Sequence, residues 1–371
     1  MNIGIDATVL DRGMTGTGRY LLNLLKEIPN HDNHNKYLIF TGSILPVNND
    51  FYKYDFFKQS LIPAKIFSII WLNLILPSKL KKHKIDLLFS PNILTPIVDL
   101  GSIKKISVVH DVIPKVYPEY YPYFYKKYLE LFLPLSLKNS DKIITVSEFS
   151  KKDIVNYYNV PKEKIDVIYN TASDKFNSSP TKSELSSLQI KNLDLPEKYI
   201  LYVGVIEKRK NIICMLKTID EIRKHGSKLK LILVGRPGYD FENIKPEIDR
   251  RKANVLHYNF LQDNELTYIY KNAFAFIFPS FYEGFGIPPL EAMQSGIPVL
   301  TSDSSSLPEV VGDGGILRSS FDFEGFAADI LELENNETFY EKMKLKAILQ
   351  SKKFNIKIIT QKLIDIFNSY V

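Results

Sequence analysis

Two acidic residues with seven residues between them, Glu283 and Glu291, mark the stretch of the chain that most strongly suggests chemistry. Glu283 is predicted to lie on a glycine-rich loop after a strand, where Gly284 and Gly286 would let the backbone approach a ligand. Glu291 is predicted to fall in the first turn of a helix opened by two prolines, where the helix dipole favours its charge. Stability alone gives no reason to combine glycines, prolines and acids in this way, so we expect residues 278–293 to bind a ligand.

A cluster of basic residues follows another predicted strand, which ends at Gly204. Arg209 and Lys210 are predicted to open the next helix, where side-chain charge and the helix N-terminus would act together on an anion. A diphosphate would be held well there. The alternative is a solvated run of surface charge, and the position directly after a strand weakens that alternative.

A third glycine-containing loop follows the first predicted strand and runs into the first helix. Gly16 and Gly18 would present bare backbone amides, and Arg19 adds a cation, which suits an anion. The dinucleotide-binding fingerprint needs a third glycine where Leu21 stands, so NAD binding is disfavoured. A loop that uses glycine only for its turn geometry explains these residues equally well.

Short apolar runs alternate with helical stretches, which is typical of parallel sheets covered by helices on both faces. The predicted strands of the first half are residues 2–7, 36–41, 86–90, 106–110, 142–146 and 165–168, and its predicted helices are 18–27, 66–82, 121–139 and 148–157. The predicted strands of the second half are 199–203, 230–234, 255–258, 275–278 and 299–301, and its predicted helices are 211–225, 265–272 and 289–294, with helix again after residue 323.

A segment that contains Ser, Asn and Pro without a clear period, residues 171–198, is predicted to link the two halves. We therefore predict an N-terminal domain over 1–175, a C-terminal domain over 190–355, and a last helix over 356–371 that packs back on the N-terminal domain. Both domains are predicted to be doubly wound, Rossmann-like α/β units. Because such sheets bind ligands at the carboxyl ends of their strands, the two domains should face a central cleft.

Composition and charge narrow the classes of protein that the chain could represent. The 371 residues are 45% hydrophobic and 24% charged, close to the average for globular domains. The single cysteine rules out an internal disulfide and suits a reducing, cytoplasmic compartment. We expect no secretory signal and no spanning helix. The first 185 residues carry 24 basic and 18 acidic side chains, whereas the remainder carries 24 of each, so an acidic partner is more plausible for the first half.

The glycine-rich acidic segment, together with the sequence SSLPEVVGDGG at 305–315, resembles the signature of retaining glycosyltransferase family 4, which has the GT-B fold. The resemblance extends over nearly the whole chain. The other motifs that carry it are the N-terminal glycine loop with Gly16 and Gly18, the histidine loop Val109-His110-Asp111, the serine motif at 146–150, and Gly204 with Arg209 and Lys210. The chain is most similar to bacterial members that build surface polysaccharides, often as mannosyl- or rhamnosyltransferases.

The resemblance implies a role for each matching residue. Arg209 and Lys210 would bind the donor diphosphate and stabilise the charge of the leaving group. Glu291 would accept hydrogen bonds from the ribose hydroxyls, and Glu283 would lie against the transferred sugar. His110 would orient the donor sugar and polarise the reacting centre.

Further donor contacts are implied for the backbone amides of Phe285 and Gly286 and for the glycine loops at Gly16, Gly18, Gly204 and Gly284. Asp111 is implied on the acceptor side. The resemblance implies that the second domain binds most of the donor and the first domain most of the acceptor. The implied reaction is the transfer of a hexosyl group, mannosyl or rhamnosyl, from a nucleotide sugar to a growing, lipid-linked surface glycan.

The sequence contains no Asp-any-Asp triplet and no cluster of His, Asp and Glu residues with metal-ligand spacing. We therefore expect no metal or other cofactor, and positively charged side chains would balance the diphosphate. No nucleic-acid module is evident.

Two alternatives remain open. A sugar-nucleotide epimerase of the same architecture would convert the donor without an acceptor, and a non-catalytic sugar- or nucleotide-binding subunit would have the same cleft.

A basic and aromatic region of the first half suggests contact with an anionic membrane. The run Lys-Leu-Lys-Lys-His-Lys at 79–84 follows the apolar stretch 66–76, and residues 117–128 combine many tyrosines with Lys126 and Lys127. The alternative is a core helix with a solvated basic end. We expect a cytoplasmic protein that docks peripherally on the inner face of the plasma membrane.

Overall fold

Seven parallel strands form one sheet in the first half of the chain in the computed structural model, which describes residues 1–12, 15–57, 64–176 and 195–370. The strands are β1 (Asn2–Asp6), β2 (Lys36–Thr41), β3 (Lys53–Phe56), β4 (Leu87–Ser90), β5 (Lys104–Val108), β6 (Lys142–Thr145) and β7 (Ile165–Val167). Their order across the sheet is β3-β2-β1-β4-β5-β6-β7. Strand β4 is buried throughout, as expected of a central parallel strand covered on both faces.

The helices of this half are α1 (Gly16–Glu27), α2 (Ala64–Ile70), α3 (Leu76–Lys82), α4 (Ile113–Val116), α5 (Tyr123–Asn139) and α6 (Glu148–Tyr158). Side chains cap the free amides at the start of two of these helices, α1 and α6. Thr15 Oγ1 accepts a hydrogen bond from the amide of Gly18 at 3.1 Å, and Ser147 Oγ accepts one from Ser150 at 3.0 Å. These caps fix the first turns of α1 and α6.

Six parallel strands form the second sheet, in the order β10-β9-β8-β11-β12-β13. They are β8 (Tyr199–Val203), β9 (Lys230–Val234), β10 (Val255–Tyr258), β11 (Ala275–Phe278), β12 (Val299–Ser302) and β13 (Gly315–Arg318). The helices that follow are α7 (Ile212–Lys224), α8 (Phe241–Asp249), α9 (Asp263–Asn272), α10 (Ile287–Gln294), α11 (Leu307–Val311), α12 (Phe323–Asn335), α13 (Glu337–Ser351) and α14 (Ile356–Asn368).

The prediction of two Rossmann-like α/β domains on parallel sheets is confirmed, but one strand in each sheet was missed. Strands β3 and β13 lie at sheet edges, pair on one side only and are only partly buried, so neither reads as a continuous apolar run. Helices α4, α8 and α11 were missed as well. All three are short, and α8 has a proline, Pro246, in its interior.

The predicted helix at 66–82 contains an irregular turn. A π-helix, Trp71–Ile75, separates α2 from α3, and the amide of Leu76 bonds to the carbonyl of Trp71, five residues earlier. Pro77 explains the irregularity because it has no N–H to donate to the carbonyl four residues before it. Trp71, Leu72 and Leu76 are buried and belong to the core, whereas Leu74 of the same stretch is exposed to 67%.

The chain divides into two compact units. Unit 1 comprises residues 1–171 and 354–371, and unit 2 comprises residues 172–353. Helix α14 belongs to unit 1, where Asn368 accepts a hydrogen bond from Asn35 Nδ2 at 2.9 Å and Phe367 packs on Phe89. Most of the predicted linker, residues 177–194, lies outside the described residues, as does residue 371. Across the described ranges, no helix combines the length and apolar character needed to cross a bilayer.

Candidate active site

Two basic side chains meet at the carboxyl edge of the second sheet. Arg209 and Lys210 lie in a 3-10 turn, Lys208–Lys210, that follows β8. The prediction that they open the helix is wrong. Asn211 adopts a left-handed conformation with φ of 56°, its side-chain amide bonds to two backbone carbonyls, and α7 begins only at Ile212.

Glu283 brings these two cations together across more than seventy residues of sequence. Its Oε1 accepts hydrogen bonds from Lys210 Nζ at 2.5 Å and from Arg209 Nη1 at 3.0 Å. The second guanidinium nitrogen of Arg209 contacts Glu207 Oε1 at 2.6 Å. Two cations and two carboxylates therefore form a neutral cluster, which we call the charge quartet (Glu207, Arg209, Lys210 and Glu283).

The charge quartet is largely removed from water, and this affects the pKa of Glu283 and that of Lys210. Burial raises the pKa of Glu283, but the charges of Lys210 and Arg209 outweigh burial and hold that pKa below its ordinary value. Burial and the neighbouring Arg209 lower the pKa of Lys210, while Glu283 opposes the decrease. The ammonium of Lys210 also lies 4.9 Å from the centroid of the Phe278 ring.

A second loop holds the glycine-rich segment in place. The amide of Glu283 donates to Ser305 Oγ at 2.8 Å, and the buried hydroxyl of Ser306 lies 2.9 Å from the carbonyl oxygen of Glu283 and 2.7 Å from that of Phe285. Gly286 has φ of +116°, and a Cβ there would lie 2.9 Å from Leu307 Cδ2. Only glycine fits this position without strain.

Glu291 lies deeper in its helix than predicted. Helix α10 begins at Ile287, two residues earlier than predicted, so Glu291 is its fifth residue and lies in the second turn. The helix can begin this early because Pro288 and Pro289 occupy positions in its first turn, where no amide donor is needed. The carboxylate is buried, and its Oε2 accepts a hydrogen bond from the hydroxyl of Tyr270 at 2.9 Å.

Gly204 directly follows β8, at the same edge of the sheet as the charge quartet. Its φ is +155°, and a Cβ there would lie 2.7 Å from the hydroxyl of Tyr202. A side chain at Gly204 would therefore collide with that tyrosine. Gly284 lies between Glu283 and Phe285, whose carbonyls contact Ser306.

The remaining candidate residues lie in unit 1, at the carboxyl edge of its own sheet. Gly16 and Gly18 form the first turn of α1, and the intervening Thr17 lines a cavity together with His110 and Asp111. Asp111 Oδ1 accepts a hydrogen bond from the amide of Ile113 at 3.0 Å.

His110 is a neutral imidazole at physiological pH. Burial lowers its pKa to about 4, and a hydrogen bond to the backbone of Pro91 raises it by a smaller amount. Within the described ranges its Nε2 is buried and has no hydrogen-bond partner. Its ring packs edge-on against Tyr20, with the two centroids 5.1 Å apart.

The two halves of the chain match two family models. Residues 14–174 match the model described as glycosyltransferase family 4, and residues 186–350 match that described as glycosyl transferases group 1. The chain belongs to glycosyltransferase family 4. The resemblance carried by the sequence motifs is thereby confirmed.

Curated relatives in this family include mannosyltransferases of Escherichia coli. The O-antigen chain mannosyltransferase B is 34% identical over 236 residues, which cover 62% of this chain and 61% of the relative. The serotype-specific mannosyltransferase WbdA is 28% identical over 259 residues, which cover 68% of this chain but 32% of the relative. The match therefore spans less than two thirds of either relative.

Solved structures of low sequence identity share the fold over the full chain. Sucrose-phosphate synthase from Thermosynechococcus elongatus has a TM-score of 0.78 at 16% identity and covers 99% of this chain and 98% of its own. Anabaena HepE in complex with UDP-glucose has a TM-score of 0.72 at 17% identity and covers all of both chains. The GT-B fold class is confirmed by these neighbours.

Several residues of this family 4 chain escaped the sequence analysis. Glu207, Ser305, Ser306 and Tyr270 each contact a candidate residue directly. Ser305 and Ser306 belong to one of the motifs that carry the family resemblance, but no role was predicted for either. Their position in the loop after β12, at the carboxyl edge of the sheet, is the feature of the sequence that could have indicated one. Among the residues that the structure describes, no three or more His, Cys, Asp or Glu side chains form a group suited to a metal ion.

Proposed function

We propose that this protein is a retaining glycosyltransferase that moves a hexosyl group, mannosyl or rhamnosyl, from a nucleotide sugar to a growing, lipid-linked surface glycan. The charge quartet is the observation that carries the proposal. It places two cations at the carboxyl edge of a Rossmann-like sheet, where such sheets bind nucleotides.

Arg209 and Lys210 suit a diphosphate because both are already desolvated and held in position. In the structure their charges are balanced by Glu207 and Glu283, so an arriving diphosphate competes with two carboxylates for the same donors. A leaving nucleoside diphosphate gains negative charge as the glycosidic bond breaks, and fixed cations stabilise that charge without reorganising. We propose that these side chains, without a divalent cation, neutralise the diphosphate.

Glu291 and the glycine-rich loop suit the rest of the donor. A buried carboxylate oriented by Tyr270 is a strong acceptor for the paired hydroxyls of a ribose. The backbone of residues 284–286 is fixed by Ser306 and by the conformation of Gly286, which favours contacts to sugar hydroxyls. Glu283 would then lie beside the transferred sugar. In unit 1, the amides of the Gly16 and Gly18 turn and the neutral His110 would contact the donor sugar.

Mannosyl transfer and O-antigen or capsule synthesis are proposed from the named relatives, among them the O-antigen chain mannosyltransferases of Escherichia coli and Salmonella typhimurium. HepE, of the same fold, binds UDP-glucose, which supports a nucleotide-sugar donor. Retention of configuration is proposed from the family resemblance.

A screen of nucleotide sugars by thermal shift, followed by a transfer assay, tests the function. A donor that binds the folded protein raises its apparent stability, and the product's anomeric configuration, read by NMR, tests retention. Mass spectrometry of the donor incubated alone separates transfer from epimerisation. Binding without turnover in the presence of glycan acceptors would instead indicate a binding subunit, and no thermal shift with any donor would contradict the proposal.

Docking on an anionic membrane is the second part of the proposal, and we propose the exposed side of α5 as the surface that docks. The outward side of this helix exposes Phe124 (78%) and Leu131 (60%), and the exposed Lys138 lies seven residues after Leu131. Lys127 is paired with Glu130, as Lys79 and His83 of the basic run are with Asp55, and these pairs reduce the charge available in both regions. An apolar stripe flanked by lysines fits the interface of an anionic bilayer.

Sedimentation with phosphatidylglycerol vesicles tests this surface. We expect binding at low salt that falls at high salt and in the double variant Phe124→Ser/Leu131→Ser. Leu345→Ser is the matched control, because Leu345 is exposed to 58% but lies in unit 2. Equal binding by the double variant and the wild type would contradict docking through α5.

A further inference from the structure

Five aromatic rings form a continuous column inside unit 2. Phe276 and Phe278 lie two residues apart in β11, and therefore on one face of the strand, with ring centroids 5.9 Å apart. Tyr202 of β8 stacks on Phe278 with centroids 5.6 Å apart, and Tyr270 of α9 stacks on Phe276 at the same distance. Phe176 packs edge-on against Tyr270 at 5.1 Å and completes the set of five buried rings, which we call the aromatic column.

The aromatic column contacts the proposed donor site at two of its rings. The hydroxyl of Tyr270 donates a hydrogen bond to Glu291 Oε2 at 2.9 Å, and the ammonium of Lys210 lies 4.9 Å from the centroid of the Phe278 ring. Glu291 is the proposed ligand of the ribose, and Lys210 is a proposed ligand of the diphosphate. The same stack of rings therefore supports a residue for each of these two parts of the donor.

Phe176 joins the aromatic column from outside the sheet. It is the last residue of a 3-10 turn near the start of unit 2. This turn packs on α9, which carries Tyr270, and on α10, which carries Glu291. Lys175 in the same turn forms an ion pair of 2.9 Å with Asp263 at the start of α9. The turn is thus fastened to the two helices that carry the hydroxyl and the carboxylate.

Tyr270 needs support from neighbouring rings to orient Glu291. Its ring is restrained by a stacked contact with Phe276, at an interplanar angle of 26°, and by an edge-to-face contact with Phe176, at 77°. These are the two arrangements that aromatic pairs favour. Loss of the Phe176 ring would leave a space beside Tyr270, and a hydrogen bond weakens steeply once its distance and angle depart from the optimum. The bond from Tyr270 to Glu291 therefore depends on Phe176.

We propose that Phe176 is a positioning residue for the donor, which fixes the carboxylate of Glu291 toward the ribose hydroxyls through Tyr270. The inference rests on the proposed function and adds a residue that acts on the donor through two other side chains. Lys210 lies further along the aromatic column, and Glu283 holds its ammonium at 2.5 Å. Phe176 therefore acts on the ribose part of the donor and leaves the diphosphate part unchanged.

Calorimetric titrations of the full chain test the proposal with UDP, GDP, ADP and dTDP, and separately with pyrophosphate, which has no ribose. For the nucleotide that the wild type binds most tightly, we expect at least a threefold weaker Kd in Phe176→Leu. The Kd of pyrophosphate should change less than twofold. Phe176→Met, which has a flexible side chain of similar size, replaces Phe176→Leu if circular dichroism shows that the latter is unfolded.

Phe326→Leu is the matched control, because it makes the same change of side chain in the core of unit 2. Phe326 is buried in α12, which packs on α7, and across the described ranges its ring stacks on no ring of the aromatic column. This control should leave every Kd within twofold of the wild type. Equal losses in Phe176→Leu and Phe326→Leu, or equal losses for the nucleotide and for pyrophosphate, would overturn the proposal.

A double-mutant cycle tests whether Phe176 acts through Tyr270. Tyr270→Phe already lacks the hydroxyl, so adding Phe176→Leu should weaken nucleotide binding by less than a further twofold. Additive losses, or a wild-type Kd in Phe176→Leu, would overturn the positioning role and leave the proposed function intact. A wild-type protein that binds none of the four nucleotides would instead contradict the proposed function, and the inference with it.

Discussion

Replacing Glu283 by Gln removes one charge from the buried charge quartet and nearly preserves its shape. Lys210 and Arg209 would lose a carboxylate at 2.5 Å and 3.0 Å and would retain only Glu207 as a counter-charge. With an effective dielectric constant of about 20, the Lys210 contact alone corresponds to about 7 kcal/mol of Coulomb energy. Burying the neutral Gln costs less desolvation free energy than burying the Glu283 carboxylate, and this difference offsets several kcal/mol of the lost Coulomb energy.

We expect Glu283→Gln to lower the free energy of unfolding of unit 2 by about 3 kcal/mol at pH 7, the lower end of the cost of breaking a buried pair. The deficit should shrink as the pH rises towards 10. The pKa of Lys210 is already lowered by burial and Arg209, and without Glu283 it falls further. The unfolded state then binds more protons than the folded state, so stability rises with pH.

Urea denaturation followed by far-UV circular dichroism at pH 7 and pH 10 measures both effects. Trp71, the one tryptophan in the sequence, lies in unit 1, so its fluorescence reports the other unit and should shift less. Glu341→Gln is the matched control, since it breaks an exposed Glu341–Lys344 pair and should cost less than about 1 kcal/mol. A cost for Glu283→Gln as small as that of the control, or a deficit that grows with pH, would refute this electrostatic reasoning.

Three further predictions concern the residues around the charge quartet. Gly286→Ala should lower the free energy of unfolding by about 1–3 kcal/mol, and urea denaturation should show a larger loss than for Gly226→Ala. Both glycines have positive φ, but a Cβ at Gly226 meets no atom within 4 Å. Glu291→Gln should weaken nucleotide binding at least tenfold in calorimetric titrations. Tyr270→Phe keeps the carboxylate and loses only its 2.9 Å hydrogen-bond donor, so it should weaken binding less. The reverse order would contradict the proposed contact of Glu291 with the ribose. Ser306→Ala removes a buried hydroxyl that lies between two loop carbonyls. In steady-state assays, with Ser304→Ala as the control, it should lower kcat more than it raises the donor KM. A change in the donor KM alone would argue against a positioning role.

Much of the fold follows from the sequence because central parallel strands are buried on both faces. Strands such as β4 and β8 read as unbroken apolar runs, whereas the edge strand β3, with the sequence Lys-Tyr-Asp-Phe, mixes polar and aromatic residues and gives no such signal. The irregular turn before Pro77 did have a signal in the sequence, because a proline inside the predicted helix 66–82 removes an amide donor, and the prediction of one continuous helix left that signal unused.

The candidate site was predictable as a set of motifs but not as a set of contacts. Glu283, Arg209 and Lys210 were each identified, yet their pairing joins positions that are 73 and 74 residues apart, which no local pattern encodes. The start of the helix after Arg209 was misplaced for a related reason. The left-handed Asn211 is fixed by carbonyls of Pro279 and Ser320, both distant in sequence.

Calorimetric titration of UDP and GDP into the protein in the presence of EDTA tests the central claim most directly. If Arg209 and Lys210 hold the diphosphate without a divalent cation, at least one nucleotide binds under these conditions, and both Arg209→Met and Lys210→Met weaken its Kd tenfold or more. Lys208→Met, in the same turn but exposed, should leave the Kd within about twofold of the wild type. Nucleotide binding that needs added metal, or that is unchanged in both Arg209→Met and Lys210→Met, would contradict the account.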